Sequence, residues 1–124
     1  MGSGEFDAHK YDLEMLVGKS GKEVSLFRVM SVEEYNKLKR HDGKFTPYDF
    51  AMDLKWFATS LEHVLQWKDL FKYRESEFRI IEIIVIEEAL YFMSYAESLD
   101  NIGKAYAADV EMLNMIVRRV KYYE

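Results

Sequence analysis

The stretch that decides the fold is Phe78–Ile86, which reads FRIIEIIVI. Its apolar side chains occupy both alternating sets of positions, as expected of a strand that is covered on both faces of a sheet. The short length and the β-branched isoleucines and valine favour a strand over a buried helix. We therefore predict a densely apolar strand in the C-terminal half of the chain.

A strand followed directly by a helix is predicted near the start of the chain. Val24–Met30 (VSLFRVM) is a short run rich in strand-forming residues. Ser31 follows, and Glu34 comes three residues later, a pattern typical of a capping box at a helix N-terminus. The spacing predicts a helix over 32–40.

The same order recurs after a loop. Residues 41–54 include glycine, proline and three aspartates, which indicates a loop. Lys55–Thr59 (KWFAT) is predicted to be a second strand, and Ser60 can cap the helix that follows it. The apolar residues of that helix recur at helical spacing, namely Leu61, Val64, Leu65 and Phe71.

The last third of the chain has weaker patterns. Residues 87–99 suggest a helix at their start, and Asp100–Gly103 (DNIG) indicates a turn. Val110–Tyr123 stays apolar around Asn114 and is predicted to form one or two strands. Short strands with turns suited to antiparallel pairing favour an α+β fold over a doubly wound sheet.

Composition limits the size of the fold and its partners. The chain has 124 residues, and Met1–Phe6 (MGSGEF) resembles a vector-derived leader, which leaves 7–124 as a single predicted domain. The net charge of -5 argues against broad binding to a nucleic acid backbone. A single nucleotide held by one arginine remains compatible with it.

Several kinds of site are excluded or disfavoured. The chain has no cysteine, so it has neither disulfides nor a cysteine nucleophile. Its histidines, His9, His41 and His63, show no ligand spacing, and we expect no metal site. No stretch reaches the roughly 18 apolar residues that a membrane-spanning helix needs, so we expect no membrane insertion.

Arg28 is the first candidate functional residue, because it lies within an apolar strand. A buried guanidinium needs a partner. One interpretation is a salt-bridged arginine at a sheet edge. The other is a phosphate clamp, since guanidinium can bind two phosphate oxygens at once.

Two further motifs carry polar groups at predicted strand ends. Thr59 and Ser60 place two hydroxyls where they can orient a carboxylate or a sugar, or they simply end a core strand and cap a helix. Asp109 and Glu111 are two residues apart, so in a strand both carboxylates would face the same side. Such acids can share catalytic work, or they can be surface acids on an edge strand.

Taken in order, these motifs resemble the Arg–Ser–Glu class of ADP-ribosyltransferases. Leu26–Ser31 (LFRVMS) is similar to the opening of small toxin-type members, and Trp56–Trp67 (WFATSLEHVLQW) to their serine-bearing strand and helix. Asp100–Asn114 (DNIGKAYAADVEMLN) looks like the turn that precedes their catalytic glutamate. The resemblance covers about 24–120.

The resemblance implies an ADP-ribosyltransferase-like split β-sandwich of short, mainly antiparallel strands with flanking helices. NAD would be the substrate and would lie in the cleft, held by Arg28. The resemblance assigns further cofactor-binding positions to Phe57, Thr59 and Ser60, with Ser60 bracing the cleft.

The acids and one tyrosine complete the expected site. Glu111 would bind a ribose hydroxyl and stabilise the cation that forms as nicotinamide leaves. Asp109 would orient the accepting group, and Tyr106 would contact the target. A toxin-like domain of this class would belong to a larger secreted bacterial protein, act inside a target cell on an unidentified macromolecule, and have a possible immunity protein.

Two other functions stay open on the sequence. A metal-independent ribonuclease toxin would use His41 or His63 with a carboxylate. A non-catalytic interaction module would carry Asp109 and Glu111 merely as surface acids.

Overall fold

The computed structural model describes residues 14–46, 54–72 and 77–123. The predicted leader and residues 47–53 of the predicted loop lie outside this part of the chain. The elements in chain order are β1 Glu23–Ser31, α1 Val32–Arg40, β2 Lys55–Ala58, α2 Leu61–Phe71, β3 Phe78–Ile86, a 3-10 helix Glu87–Phe92, β4 Ser94–Leu99, β5 Gly103–Ala108, α3 Val110–Ile116 and β6 Arg119–Tyr123.

The described strands form one antiparallel sheet in the order β4-β5-β2-β1-β3-β6. The predicted strand Phe78–Ile86 is β3, and it lies between β1 and β6. Every residue from Ile80 to Ile86 is buried. The α+β prediction is confirmed, and so is the prediction that this strand is covered on both faces.

Each face of the sheet packs against its own helices. Alternate residues of a strand point to opposite faces, and two core clusters result. The first face packs against α1, α3 and the 3-10 helix, with Leu26, Phe57, Ile81 and Leu113 in its core. The second face packs against α2, with its core at Val29, Ala58, Val64, Trp67, Ile80 and Ala105.

Both predicted helix caps are confirmed. The Ser31 side chain accepts a hydrogen bond from the Glu34 backbone N–H at 3.1 Å, and Ser60 accepts one from the His63 N–H at 3.1 Å. These bonds satisfy backbone donors that a helix N-terminus leaves unpaired. The helices consequently begin directly after β1 and close to the end of β2.

The predicted turn at Asp100–Gly103 is also confirmed, and it joins two strands. Asp100 and Asn101 have positive φ angles of 53 and 61, which aspartate and asparagine tolerate better than most residues. Leu99 and Gly103 are paired across this turn. Residues 94–99 and 103–108 are therefore a β-hairpin, although the sequence pattern predicts neither strand.

The prediction of one or two strands over 110–123 is wrong for its first half. Val110–Ile116 is a helix, and only Arg119–Tyr123 is a strand. The Asp109 side chain accepts a hydrogen bond from the Met112 N–H at 2.7 Å, so it caps the helix. Leu113 and Ile116 are buried three residues apart, which is helical spacing.

The pairing between β1 and β2 is the shortest in the sheet. These strands share a single register pair, Phe27 with Ala58. By contrast, β1 is paired with β3 along all of Glu23–Ser31, and β2 with β5 along all of Lys55–Ala58. The described strands thus form one sheet, not two separate sheets, with a weak junction between two three-stranded halves.

Glu82 lies on β3, on the second face of the sheet, and is only 8% exposed. The hydroxyls of Ser25 and Tyr123 donate to its carboxylate at 2.5 and 2.6 Å. Burial by itself raises the pKa of Glu82, but these hydrogen bonds and nearby Lys121 outweigh it, and the pKa falls below the ordinary 4.5. The folded state therefore favours the charged form.

We expect Glu82→Gln to lower the free energy of unfolding at pH 7 by about 1.5 kcal/mol or more, because hydrogen bonds to a charged group are lost. Because the folded pKa is depressed, the stabilisation is fully present above pH 4.5 and disappears as the pH falls through the folded pKa. Urea unfolding from pH 7 to pH 3 should show the two proteins converging at acid pH. The exposed acid variant Glu33→Gln is the control, and a constant difference at every pH would contradict the prediction.

A candidate functional site at the junction of β1 and β2

Arg28 lies at the weak junction and is paired with a carboxylate. Its Nε and Nη2 donate to the Glu34 carboxylate at 2.8 and 3.1 Å, in the two-bond geometry that guanidinium favours. Its Nη1 crosses to β2 and donates to the Trp56 carbonyl at 3.1 Å. The side chain keeps 19% exposure. Arg28 thus ties β1, α1 and β2 together.

Lys55 adds a second cation to the same cluster. Its Nζ lies 3.6 Å from Glu34 Oε2, and the residue is only 5% exposed. Burial is the largest influence and lowers the pKa of Lys55; Glu34 raises it, and Arg28 and Lys37 lower it again, so that it lies below the ordinary 10.5. Arg28 and Lys55 therefore both contact the same partly buried acid.

The room beside this cluster is small. A cavity of about 10 Å³ is lined by Glu34, Lys37, Leu38, Phe45, Thr46 and Lys55. That volume holds about one water molecule. A ligand larger than a water molecule does not fit within this cavity.

Phe57 and Tyr106 lie on the same face of the sheet as Arg28. They are register partners on β2 and β5, and the Arg28 guanidinium lies 6.0 Å from the centre of the Phe57 ring. Phe57 is 0% exposed and meets Phe45 edge to face at 6.3 Å. Phe57 is therefore a core residue. Any effect on the cofactor that the resemblance implies for it would have to act through the residues around it.

Ser60 and Thr59 lie at the other end of β2. Ser60 caps α2, which covers the second face of the sheet. Lys55, at the start of β2, pairs with Ala108 of β5, and Asp109 follows directly. At about 3.3 Å per residue, Ser60 is roughly 16 Å along the strand from Lys55. The structure does not bring Ser60 together with the two acids.

The sequence pattern predicts that Asp109 and Glu111 face the same side of a strand. This prediction is wrong, because Val110–Ile116 is a helix. Asp109 caps α3, and Glu111 lies exposed in its first turn, because the backbone turns into a helix after β5. The buried residues of α3 belong to the same core cluster as Leu26 and Phe57. Glu111 is therefore on a helix that packs on the Arg28 face of the sheet.

The two histidines of the ribonuclease alternative lie on different elements. His41 is exposed at the C-terminus of α1, and His63 lies in the first turn of α2. His63 packs against β5 so closely that a Cβ on Gly103 would come within 2.4 Å of its ring. No described residue accepts or donates a hydrogen bond at the buried His63 Nδ1 or Trp67 Nε1.

Sequence reasoning identifies Arg28 but misses its partners. Glu34 appears in the sequence only as a capping-box residue, and Lys55 only as the first residue of a strand. One signal was available: a lysine beside Trp56 and Phe57 at the start of an apolar strand needs a counter-charge as much as Arg28 does. An acid one turn into the helix that follows Arg28 is within reach of both.

The fold and site together define an α+β protein with a six-stranded antiparallel sheet and a partly buried cationic cluster at its weak junction. The chain matches no protein-family model, no curated protein and no solved structure. Within the described ranges no group of three or more potential ligand side chains could hold a metal ion. No helix in the same residues is long and apolar enough to cross a membrane.

Proposed function

We propose that the chain binds NAD at the junction of β1 and β2 and transfers ADP-ribose from it to a macromolecular target. The observation that carries this proposal is the Arg28–Glu34–Lys55 cluster, in which two cations share one carboxylate where the halves of the sheet meet. The resemblance implies NAD in the cleft of a split β-sandwich; the described strands instead form one sheet, and the proposal puts NAD at its shortest pairing. The pyrophosphate of NAD is an anion of the right charge for this position.

Arg28 and Lys55 have separate roles in the proposal. Arg28 exchanges one or both of its bonds to Glu34 for phosphate oxygens, which present similar bidentate geometry. Lys55 remains beside Glu34 and keeps the released carboxylate paired, so that no buried charge is left alone. The exchange has a low net cost because each charge keeps a partner.

Glu111 supplies the carboxylate that assists bond cleavage. The bond between the nicotinamide nitrogen and C1′ of the ribose breaks, and nicotinamide leaves with the electron pair. Positive charge develops on the ribose, and a fixed carboxylate nearby lowers the free energy of that state. A nucleophile of the target then bonds to C1′ and releases its proton. Glu111 lies exposed in the first turn of α3, the helix whose buried residues pack on the sheet face that carries Arg28.

The remaining candidate residues orient the target or support the backbone near the site. One oxygen of Asp109 is used by the α3 cap, which leaves the other to orient the accepting group of the target. Tyr106, whose ring centre lies 5.0 Å from that of Tyr95 near the edge of the sheet, would contact the target. Thr59 and Ser60, at the far end of β2, have no direct contact with NAD in this proposal, and Ser60 fixes the start of α2. In this proposal the domain is a toxin-like effector delivered into a target cell.

NAD at about one hundred times its dissociation constant is expected to stabilise the folded protein by about 2.7 kcal/mol. Lys55→Met should remove most of this effect, because it deletes the cation that stays beside Glu34 when Arg28 turns to the phosphates. Differential scanning calorimetry with and without NAD measures the shift. Lys104→Met, at an exposed lysine on β5, is the matched control for the lost charge.

Two outcomes would count against the proposal. An unmoved wild-type transition with saturating NAD, together with no heat of binding, would leave Arg28 as a structural salt bridge. The interaction-module alternative would then be favoured, since Glu34 already satisfies Arg28 without a ligand. A shift that survives in Lys55→Met would place NAD elsewhere on the molecule.

A further inference from the structure

A second feature of the molecule, independent of the NAD proposal, is a groove along the outer side of α2. It has a volume of about 790 Å³ and lies between α2 and the turn that joins β4 to β5. Its lining residues are Leu61, Glu62, Leu65, Gln66, Asp69, Leu70, Asp100 and Ile102. No residue of this groove belongs to the Arg28 cluster.

The helix α2 carries apolar side chains on both of its sides. Its inner residues Val64 and Trp67 are buried against the sheet. Its outer leucines, Leu61, Leu65 and Leu70, are 37%, 47% and 50% exposed. The outer leucines contribute little to the core, and a group of exposed apolar residues in one groove is typical of a binding surface.

The charged residues that line the groove indicate which kind of partner it can bind. Its three charged lining residues, Glu62, Asp69 and Asp100, are all acidic. Asp69 forms a contact of 3.2 Å with Lys72, but both side chains are well exposed, and such pairs are weak. A partner would therefore gain from apolar residues at its centre and from cations at its margins.

We propose that this groove binds a basic amphipathic helix of a partner protein. Leu61 and Leu65 lie one helical turn apart and face the groove with Ile102 opposite them. A helix presents apolar residues at the same spacing and can lay that stripe between them. Lysines or arginines beside the stripe would then lie near Glu62, Asp69 and Asp100.

The test uses a labelled 18-residue peptide with leucines on one helical face and lysines beside them, without NAD. Fluorescence anisotropy should show saturable binding to the wild type, and a peptide with glutamates in place of the lysines should bind much more weakly. Leu65→Asp and Glu62→Lys should each weaken binding by about tenfold or more. Tyr91→Asp, at a tyrosine 87% exposed outside the groove, is the matched control and should not change it.

Circular dichroism melting shows whether each variant is folded, so a loss of binding can be told apart from a loss of the fold. We expect the variants to fold, since the substituted side chains are exposed. Equal binding of the basic and acidic peptides, or unchanged binding by Leu65→Asp, would overturn the proposal. Sedimentation decides between a partner protein and a second copy of this chain. If the protein dimerises and Leu65→Asp abolishes the dimer, the occupant is a second copy and the assignment to a basic partner is wrong.

Discussion

Glu111→Gln is expected to lower the rate of nicotinamide release from NAD by on the order of a hundredfold. The substitution keeps the shape of the side chain and one acceptor oxygen but removes the negative charge opposite the developing ribose cation. NAD binding should survive, because in the proposal Arg28 holds the phosphates and Lys55 keeps Glu34 paired. Folding should hardly change, because Glu111 is exposed in the first turn of α3.

The measurement is nicotinamide release with purified wild-type and variant proteins at equal NAD saturation. Glu33→Gln, another exposed acid in the first turn of a helix, is the matched control and should keep the wild-type rate. Expression of the wild type in bacteria should slow growth, and expression of Glu111→Gln should not. A variant that releases nicotinamide and modifies lysate components at the wild-type rate would show that Glu111 has no catalytic role.

Phe57→Ala is expected to lower the free energy of unfolding by about 3–5 kcal/mol, as for other large aromatic deletions in a core. Phe57 is fully buried, meets Phe45 edge to face, and lies under the Arg28 guanidinium. Its removal leaves a cavity next to the junction of β1 and β2. That loss is a large fraction of the total stability of an average domain.

Chemical denaturation of Phe57→Ala and Phe57→Leu measures this effect. Leucine refills most of the volume, so Phe57→Leu should lose clearly less stability and should keep the NAD-dependent shift of the wild type. The opposite pattern, with Phe57→Ala as stable as the wild type but unable to bind NAD, would show that the ring contacts the substrate directly.

Several elements follow from local sequence patterns and need no tertiary information. β1, β2, β3, α1 and α2 are all predicted, because each has either an apolar run of strand length or a serine cap before helical spacing. Ser31 and Ser60 act within three residues of their own position. Local rules of this kind work because both partners lie on the same short segment.

The hairpin β4–β5 is not predictable in the same way. β4 is an edge strand with few buried residues, and its Ser94–Leu99 segment lacks a clean alternation of apolar and polar residues. β5 is made largely of alanines and begins with glycine. Ala105 and Ala107 are fully buried, and Ala105 packs in the cluster that contains Val64 and Trp67 of α2. Only the packed sheet reveals why such small residues form a strand.

The features of the candidate site are likewise of two kinds, those that local sequence predicts and those that depend on contacts between distant segments. Local patterns predict the helix caps, the apolar strand β3, and the position of Arg28 in a strand where its charge needs a partner. The packed fold is needed to show that the partner is Glu34, that Lys55 also contacts it, and that Asp109 begins a helix instead of extending a strand. The physical reason is that charge pairing and burial depend on distances between segments, which the register of β1, β2 and β5 sets and no local pattern encodes.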